Sequence, residues 1–136
     1  MNEEFKPLVG QVVCGVFLSN GEHYLKFELY NGTSVIWRAD GDCCSESWFA
    51  DIVGLHVLLS ANPITNIEEI PMPEPKDGRG RQECDQAYGI LITNNLGKCN
   101  IVYRNSSNGY YGGSLSLVDS VPADTEFRKI EEDYPV

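Results

Sequence analysis

The run Tyr24–Tyr30 alternates between apolar and polar side chains, with leucine or phenylalanine at every second position. A period of two is typical of a strand that buries one face. The neighbouring runs Val9–Leu18 and Thr33–Arg38 are also rich in β-branched residues, and Asn20-Gly21 and Asn31-Gly32 separate the three runs. Asn-Gly between such runs predicts a hairpin, because a type I′ turn needs positive φ at both central residues. These residues therefore predict an antiparallel three-stranded meander.

The next segment has helical spacing. Ser45 is a favourable N-cap, and Glu46 in the first turn complements the helix dipole. One apolar face follows at i, i+4, i+7 and i+11, formed by Trp48, Ile52, Leu55 and Leu59. Because Gly54 interrupts this face, two alternatives stay open: a helix through the whole segment, or a short helix to about Val53 followed by a strand over 55–59. In either case we expect Trp48 to be buried against the meander.

Further hairpin signals lie in the second half. Tyr88–Thr93 and Cys99–Tyr103 are joined by Asn94–Gly97, and the turn Asn105–Gly113 returns into Ser114–Val118. The predicted fold class is α+β, mostly antiparallel β in a bent meander and hairpins, with one short helix packed on the sheet.

The length of 136 residues predicts one domain, 1–136. Within it, residues 71–87 read as a long loop with three prolines near its start, and residues 119–136 as an acidic tail that is either polar surface or frayed. No apolar run reaches the roughly 20 residues of a membrane helix, and no secretory signal is visible at the start, so we expect no membrane association.

Charge excludes one class of function. The net charge is −10, whereas nonspecific nucleic-acid binding needs a basic surface. Only residues 76–118 have a positive balance, with five basic and three acidic side chains.

This basic block also holds two glycine-rich loops, which suggests an anion site. Arginine forks bind phosphates, and glycine lets backbone N–H groups approach them. A phosphorylated or nucleotide ligand would use tyrosines for stacking and asparagines for polar edges. The candidate ligand-binding residues are Arg79, Arg81, Arg104, Asn105, Asn108, Tyr110 and Tyr111. The alternative is that the second loop is only a hairpin turn. Since neighbouring strand residues face opposite sides, only one of Tyr103 and Arg104 can line a given pocket.

The chain offers no recognisable catalytic or metal-binding motif. His23 and His56 lack a motif around them, and the five cysteines lack zinc-site spacing. We expect these cysteines to be buried or half-buried free thiols, and the adjacent Cys43 and Cys44 to point to opposite faces. The sequence therefore predicts a non-enzymatic protein without catalytic residues, metal or cofactor.

Two runs together suggest a relationship. The runs are GDCCSESW at 41–48 and YRNSSNGYYGG at 103–113. In combination they resemble a family of small bacteriophage and prophage proteins of unknown function. The resemblance implies an accessory viral product in the host bacterial cytoplasm, where such proteins often blunt host defences.

Three functions follow as hypotheses. The leading one is an anti-defence inhibitor whose acidic surface docks on a basic host effector, such as a CRISPR complex or nuclease. The first alternative is a sponge for a small nucleotide signal, and the second is a virion or assembly component; a homo-oligomer is compatible with each. The candidate protein-binding residues are Glu68, Glu69, Asp119, Asp124, Glu126, Glu131, Glu132 and Asp133.

Overall fold

A computed structural model describes residues 2–109 and 112–136, and almost all of its regular structure is β. Its strands are β1 Val13–Ser19, β2 Tyr24–Leu29, β3 Ser34–Gly41, β4 Glu46–Val53, β5 Asn66–Pro71, β6 Cys84–Thr93, β7 Lys98–Ser107, β8 Gly113–Val118 and β9 Phe127–Lys129. The helical content of the described residues is the single turn Leu55–Leu58. The predicted α+β class is therefore wrong, and the protein is an all-β domain. Within the described residues no helix is long and apolar enough to cross a membrane.

The strands form two antiparallel sheets. The meander sheet has the order β8-β3-β2-β1-β9, and the hairpin sheet has the order β4-β7-β6-β5. The pairing of β1, β2 and β3 confirms the predicted meander, and β6 pairs with β7 through the predicted turn 94–97. The turn type predicted for Asn31-Gly32 is wrong, because only Gly32 has positive φ (88°). A longer hairpin loop ending in a left-handed glycine accounts for this geometry.

The predicted helix after Ser45 is strand β4. A β-bulge explains the misleading spacing: Phe49 pairs with Tyr103 and Asp51 with Val102, so Ala50 is an extra residue on β4. The bulge shifts the alternation by one position, and Phe49 and Ile52 both face the core although they are three residues apart. The residues 55–58, for which a strand was one alternative, form the helical turn instead.

Side chains from both sheets and from the N-terminal segment form the core. Phe5 and Leu8 are buried with the strand residues, and Trp37 on β3 is fully buried. The indole Nε1 of Trp37 donates a hydrogen bond to the carbonyl oxygen of Glu4 at 2.8 Å. This contact fixes the backbone of the N-terminal segment at Glu4 against Trp37.

The acidic tail pairs with both sheets, so of its two alternatives the frayed end is wrong. Strand β9 pairs with β1, and Ile130 beside it is buried. Ile52 and Tyr134 exchange two backbone hydrogen bonds of 2.8 and 2.9 Å, so the tail also pairs with β4.

Candidate functional site

The long loop between β5 and β6, residues 72–83, lies on the outer face of the hairpin sheet. In β7 the core face carries Tyr103, so Arg104 points to the opposite, outer face as alternation requires. Arg104 is nevertheless only 3% exposed. Its Nη1 donates to Asp77 at 3.0 Å and to Asp85 at 3.1 Å, and its Nη2 donates to Asp77. The hydrogen bond from Arg104 holds the pKa of Asp77 well below its usual range.

Arg79 extends this network to β4. Its Nε donates to Asp77 at 2.8 Å, its Nη2 donates to Asp51 at 2.8 Å, and its Nη1 donates to the carbonyl oxygen of Ala50 at 3.3 Å. Asp77 therefore accepts from two arginines, one in the loop and one in the sheet. These ion pairs attach the middle of the loop to the sheet.

Arg81 attaches the end of the loop. Its backbone N–H donates to Ser106 Oγ at 3.1 Å, and its Nη2 donates to Glu22 Oε1 at 2.9 Å. Its guanidinium carbon lies 4.2 Å from the centroid of the Trp48 ring, within cation–π distance. Trp48 is buried, as predicted, but it lies on the outer face of the hairpin sheet under Arg81 rather than against the meander.

The predicted ligand-binding residues are thus only partly brought together. Arg79, Arg81 and Arg104 share one side of the hairpin sheet, and each is engaged by carboxylates of the protein itself. Asn105 faces the other way and donates to Ser45 Oγ and Ser47 Oγ at 3.0 and 2.8 Å. Asn108 is exposed after β7, and Tyr110 and Tyr111 lie outside the described residues.

The two runs singled out in the sequence do meet in space. Gly41 pairs with Gly113 between β3 and β8, and Ser47 pairs with Asn105 between β4 and β7. A Cβ added at Gly113 would lie 2.9 Å from Asn105 Cβ, so the buried amide requires glycine beside it. Within the described structure, the two runs therefore lie side by side where the two sheets meet.

The predicted protein-binding acids lie at different edges. Glu68 and Glu69 are exposed on β5, an outer strand of the hairpin sheet. The acids of the tail follow β8 or flank β9, and Tyr134, just after them, pairs with β4, the edge strand opposite β5 in the hairpin sheet. These tail acids are Asp119, Asp124, Glu126, Glu131, Glu132 and Asp133. The two clusters therefore do not form one continuous surface.

Two acids of the tail have internal partners. The carboxylate of Asp133 accepts hydrogen bonds from the backbone N–H groups of Gly54 and Leu55 at 3.1 and 3.0 Å. The carboxylate of Glu126 accepts a hydrogen bond from Asn20 at 3.2 Å. Asp133 thus stabilises the start of the helical turn, which is a structural role.

A second acidic site, of which the sequence analysis had named only Glu69, lies at the β5 side of the molecule. A surface groove of about 640 Å³ opens between the N-terminal segment, β5, β6 and the start of β8. We call it the acidic groove, because Glu3, Glu4 and Glu69 contribute carboxylates to it and none of its described lining residues is basic. Glu3 is paired with Lys6 at 2.7 Å, which lowers the pKa of Glu3.

Two stacked tyrosines belong to the same groove. The rings of Tyr88 and Tyr103 lie 4.9 Å apart between centroids with an interplanar angle of 14°. The Tyr88 hydroxyl donates to Gln86 at 2.7 Å and accepts from the N–H of Gly113 at 2.9 Å, which holds its ring in place. Burial, and then the charge of Glu69, raise the pKa of Tyr103. Tyr103 is buried in the core and Tyr88 is half-buried above it, so the groove combines negative charge with an aromatic wall that Tyr88 presents.

Part of this groove could have been found from the sequence. Counting outwards from the turn 94–97 places Tyr88 directly opposite Tyr103, as the structure has them. The contribution of Glu4 had no such signal, because it depends on how the N-terminal segment packs against the core.

The comparisons with known proteins correct the expected origin. No solved structure matches the chain. An uncharacterized protein of Acanthamoeba polyphaga mimivirus is 35% identical over 109 residues, with 66% of this chain and 79% of that protein covered. The resemblance to a bacteriophage family is therefore wrong, since this similar protein comes from a giant virus of amoebae. The sequence model of a protein family, DUF7448 (a domain of unknown function), matches residues 6–117. The chain belongs to the DUF7448 family.

Proposed function

We propose that this protein is a non-enzymatic binding domain that docks on a basic segment of a partner protein through the acidic groove. The observation that supports it is the groove itself, where the carboxylates of Glu4 and Glu69, and that of Glu3 in its pair with Lys6, lie beside Tyr88. None of its described lining residues is basic. A lysine or arginine side chain fits this chemistry, because carboxylates give it charge-assisted hydrogen bonds and tyrosine faces attract cations.

The partner class follows from the charge of the site. Proteins that bind nucleic acids carry exposed arginine and lysine segments, and complementary charge speeds their encounter with an acidic domain. A defence role has no support apart from the bacteriophage resemblance, which is wrong, so we propose docking on a basic partner without that role. The nucleotide alternative loses support because all three arginines expected to hold phosphate are paired with carboxylates.

A defined peptide tests the docking. We would titrate the protein at low salt with a fluorescent peptide of alternating arginine and glycine, and with the same peptide carrying neutral citrulline for arginine. We expect binding only of the arginine peptide, weakened by added salt because exposed charges are screened. Removing a charge-assisted hydrogen bond of about 1.5–3 kcal/mol in Glu4→Gln or Glu69→Gln should weaken binding roughly ten- to a hundredfold.

The matched control is the pair Glu131→Gln and Glu132→Gln. These acids are also exposed but lie in the tail, outside the acidic groove. If these variants weaken binding as much as the groove variants do, net charge rather than the groove is responsible, and the proposal is wrong. Equal binding of the citrulline peptide would also contradict it.

A further inference from the structure

Cys43 and Cys44 form a pair of adjacent thiols in the turn between β3 and β4. Their Sγ atoms lie 3.0 Å apart, and both side chains are exposed. In an extended strand, neighbouring side chains point to opposite faces. The expectation of opposed thiols is therefore wrong, because Cys44 adopts a left-handed conformation with φ of 73°. The turn therefore places both sulfur atoms on the same side of the backbone.

Hydrogen bonds within the turn and from the long loop hold it in place. The backbone N–H and the hydroxyl of Ser45 both donate to the carbonyl oxygen of Asp42, at 3.0 and 2.6 Å. Gln82 from the long loop donates to the carbonyl oxygen of Cys44 at 3.1 Å. The turn is therefore closed by its own hydrogen bonds and joined to the long loop through Gln82, and it brings the two thiols together.

We propose that Cys43 and Cys44 are a redox site, at which a peroxide oxidises the two thiols to a disulfide between adjacent residues. In the first step one thiolate attacks a peroxide oxygen, the O–O bond breaks, and a sulfenic acid and water (or an alcohol) form. In the second step the other sulfur attacks the sulfenic sulfur, and the S–O bond breaks with release of water. Overall the two thiols lose two electrons and two protons, and the peroxide is reduced.

The covalent geometry favours a reversible bond. The Cα atoms of adjacent residues are about 3.8 Å apart, below the roughly 4.4–6.8 Å usual for disulfides. A strained and exposed disulfide is more easily reduced, which is the behaviour of regulatory rather than structural disulfides. The hydrogen bond from Cys43 raises the pKa of the Cys44 thiol.

The other cysteines lack this arrangement. Cys99 is buried, and its burial raises the pKa of its thiol to about 12. Cys14 and Cys84 are exposed, and neither has a cysteine next to it in the chain. They serve as internal controls for the reactivity of single exposed thiols.

Mass spectrometry of the full chain tests the site. The protein would be treated with limiting hydrogen peroxide, alkylated with N-ethylmaleimide and cleaved with trypsin. Cleavage after Arg38 and Lys76 gives a peptide, 39–76, with no other cysteine. We expect this peptide to lose the mass of two hydrogen atoms and to take up no label, while Cys14 and Cys84 stay labelled. Glutathione should restore labelling at both positions.

Variants complete the test. The double variant Cys14→Ser/Cys84→Ser should behave as the wild type does, whereas Cys43→Ser should give no loss of two hydrogens in peptide 39–76. Full labelling of Cys43 and Cys44 after peroxide would overturn the proposal. Disulfides that join either residue to another cysteine or to a second chain would also overturn it.

Discussion

Arg104→Met tests whether the buried guanidinium holds the long loop on the hairpin sheet. Methionine keeps an apolar stem on β7 but removes the three hydrogen bonds to Asp77 and Asp85. The contact with Asp85 joins side chains that are 4% and 12% exposed, so it is a buried charge-assisted hydrogen bond worth about 1.5–3 kcal/mol. Asp77 is 40% exposed, so its ion pair with Arg104 adds at most about 1 kcal/mol to the stabilisation of the closed loop.

The loss of about 2–4 kcal/mol should appear as easier opening of the loop. Cleavage through a transiently open state follows its population, and each 1.4 kcal/mol changes that population about tenfold. Trypsin should therefore cut the variant after Lys76, Arg79 or Arg81 about thirty- to several-hundredfold faster than the wild type. Cleavage at Lys26 and Arg38, which lie in strands, should stay slow.

The control is Arg38→Met, which removes an exposed ion pair with Asp40 on the meander sheet. We expect the wild-type rate of loop cleavage in this variant. Urea denaturation shows whether each variant is still folded, because a folded domain unfolds in one cooperative transition. Faster loop cleavage in a variant that is still folded then reports opening of the loop rather than global unfolding. A wild-type rate of loop cleavage in Arg104→Met would refute the reasoning.

Two further predictions concern the same face. Trp48→Ala should lower the free energy of unfolding by about 3–5 kcal/mol in urea denaturation, because the ring is buried under Arg81; an unchanged midpoint would contradict this. The pKa of folded Asp77 lies below its unfolded value of about 3.9, so its charge stabilises the fold above about pH 4, and this stabilisation is lost as the pH falls through the folded pKa. Asp77→Asn should therefore be less stable than the wild type near neutral pH, with a difference that shrinks below about pH 4 in circular dichroism; a constant difference would contradict the assignment.

Local signals predicted the parts of the fold that depend on neighbours in the chain. The alternation in Tyr24–Tyr30 and the glycine turns identified β1 to β3, and the turn 94–97 identified β6 and β7 with their register. β4 was missed because its bulge at Ala50 gives apolar residues a helix-like spacing. A one-residue irregularity in a strand leaves no other mark on the sequence.

The candidate site was harder to predict, because its character depends on long-range pairing. Arg79, Arg81 and Arg104 looked available for a phosphate, and their residue types are compatible with that. Their partners include Asp51 on β4 and Glu22 at the β1–β2 turn, which chain order does not place beside them. The acidic groove likewise depends on the N-terminal segment, whose position is fixed by Phe5 and Leu8 in the core.

The pairing of the tail with both sheets has a consequence for self-association. The family match ends at residue 117, and β9 and Tyr134, which cover the outer sides of β1 and β4, come after it. An uncovered strand presents a row of free N–H and C=O groups that a strand of another molecule can pair with. Residues 118–136 therefore occupy part of the edge of β1 and one position on the edge of β4 that a second molecule could otherwise pair with, and their acidic side chains add electrostatic repulsion between copies of the chain.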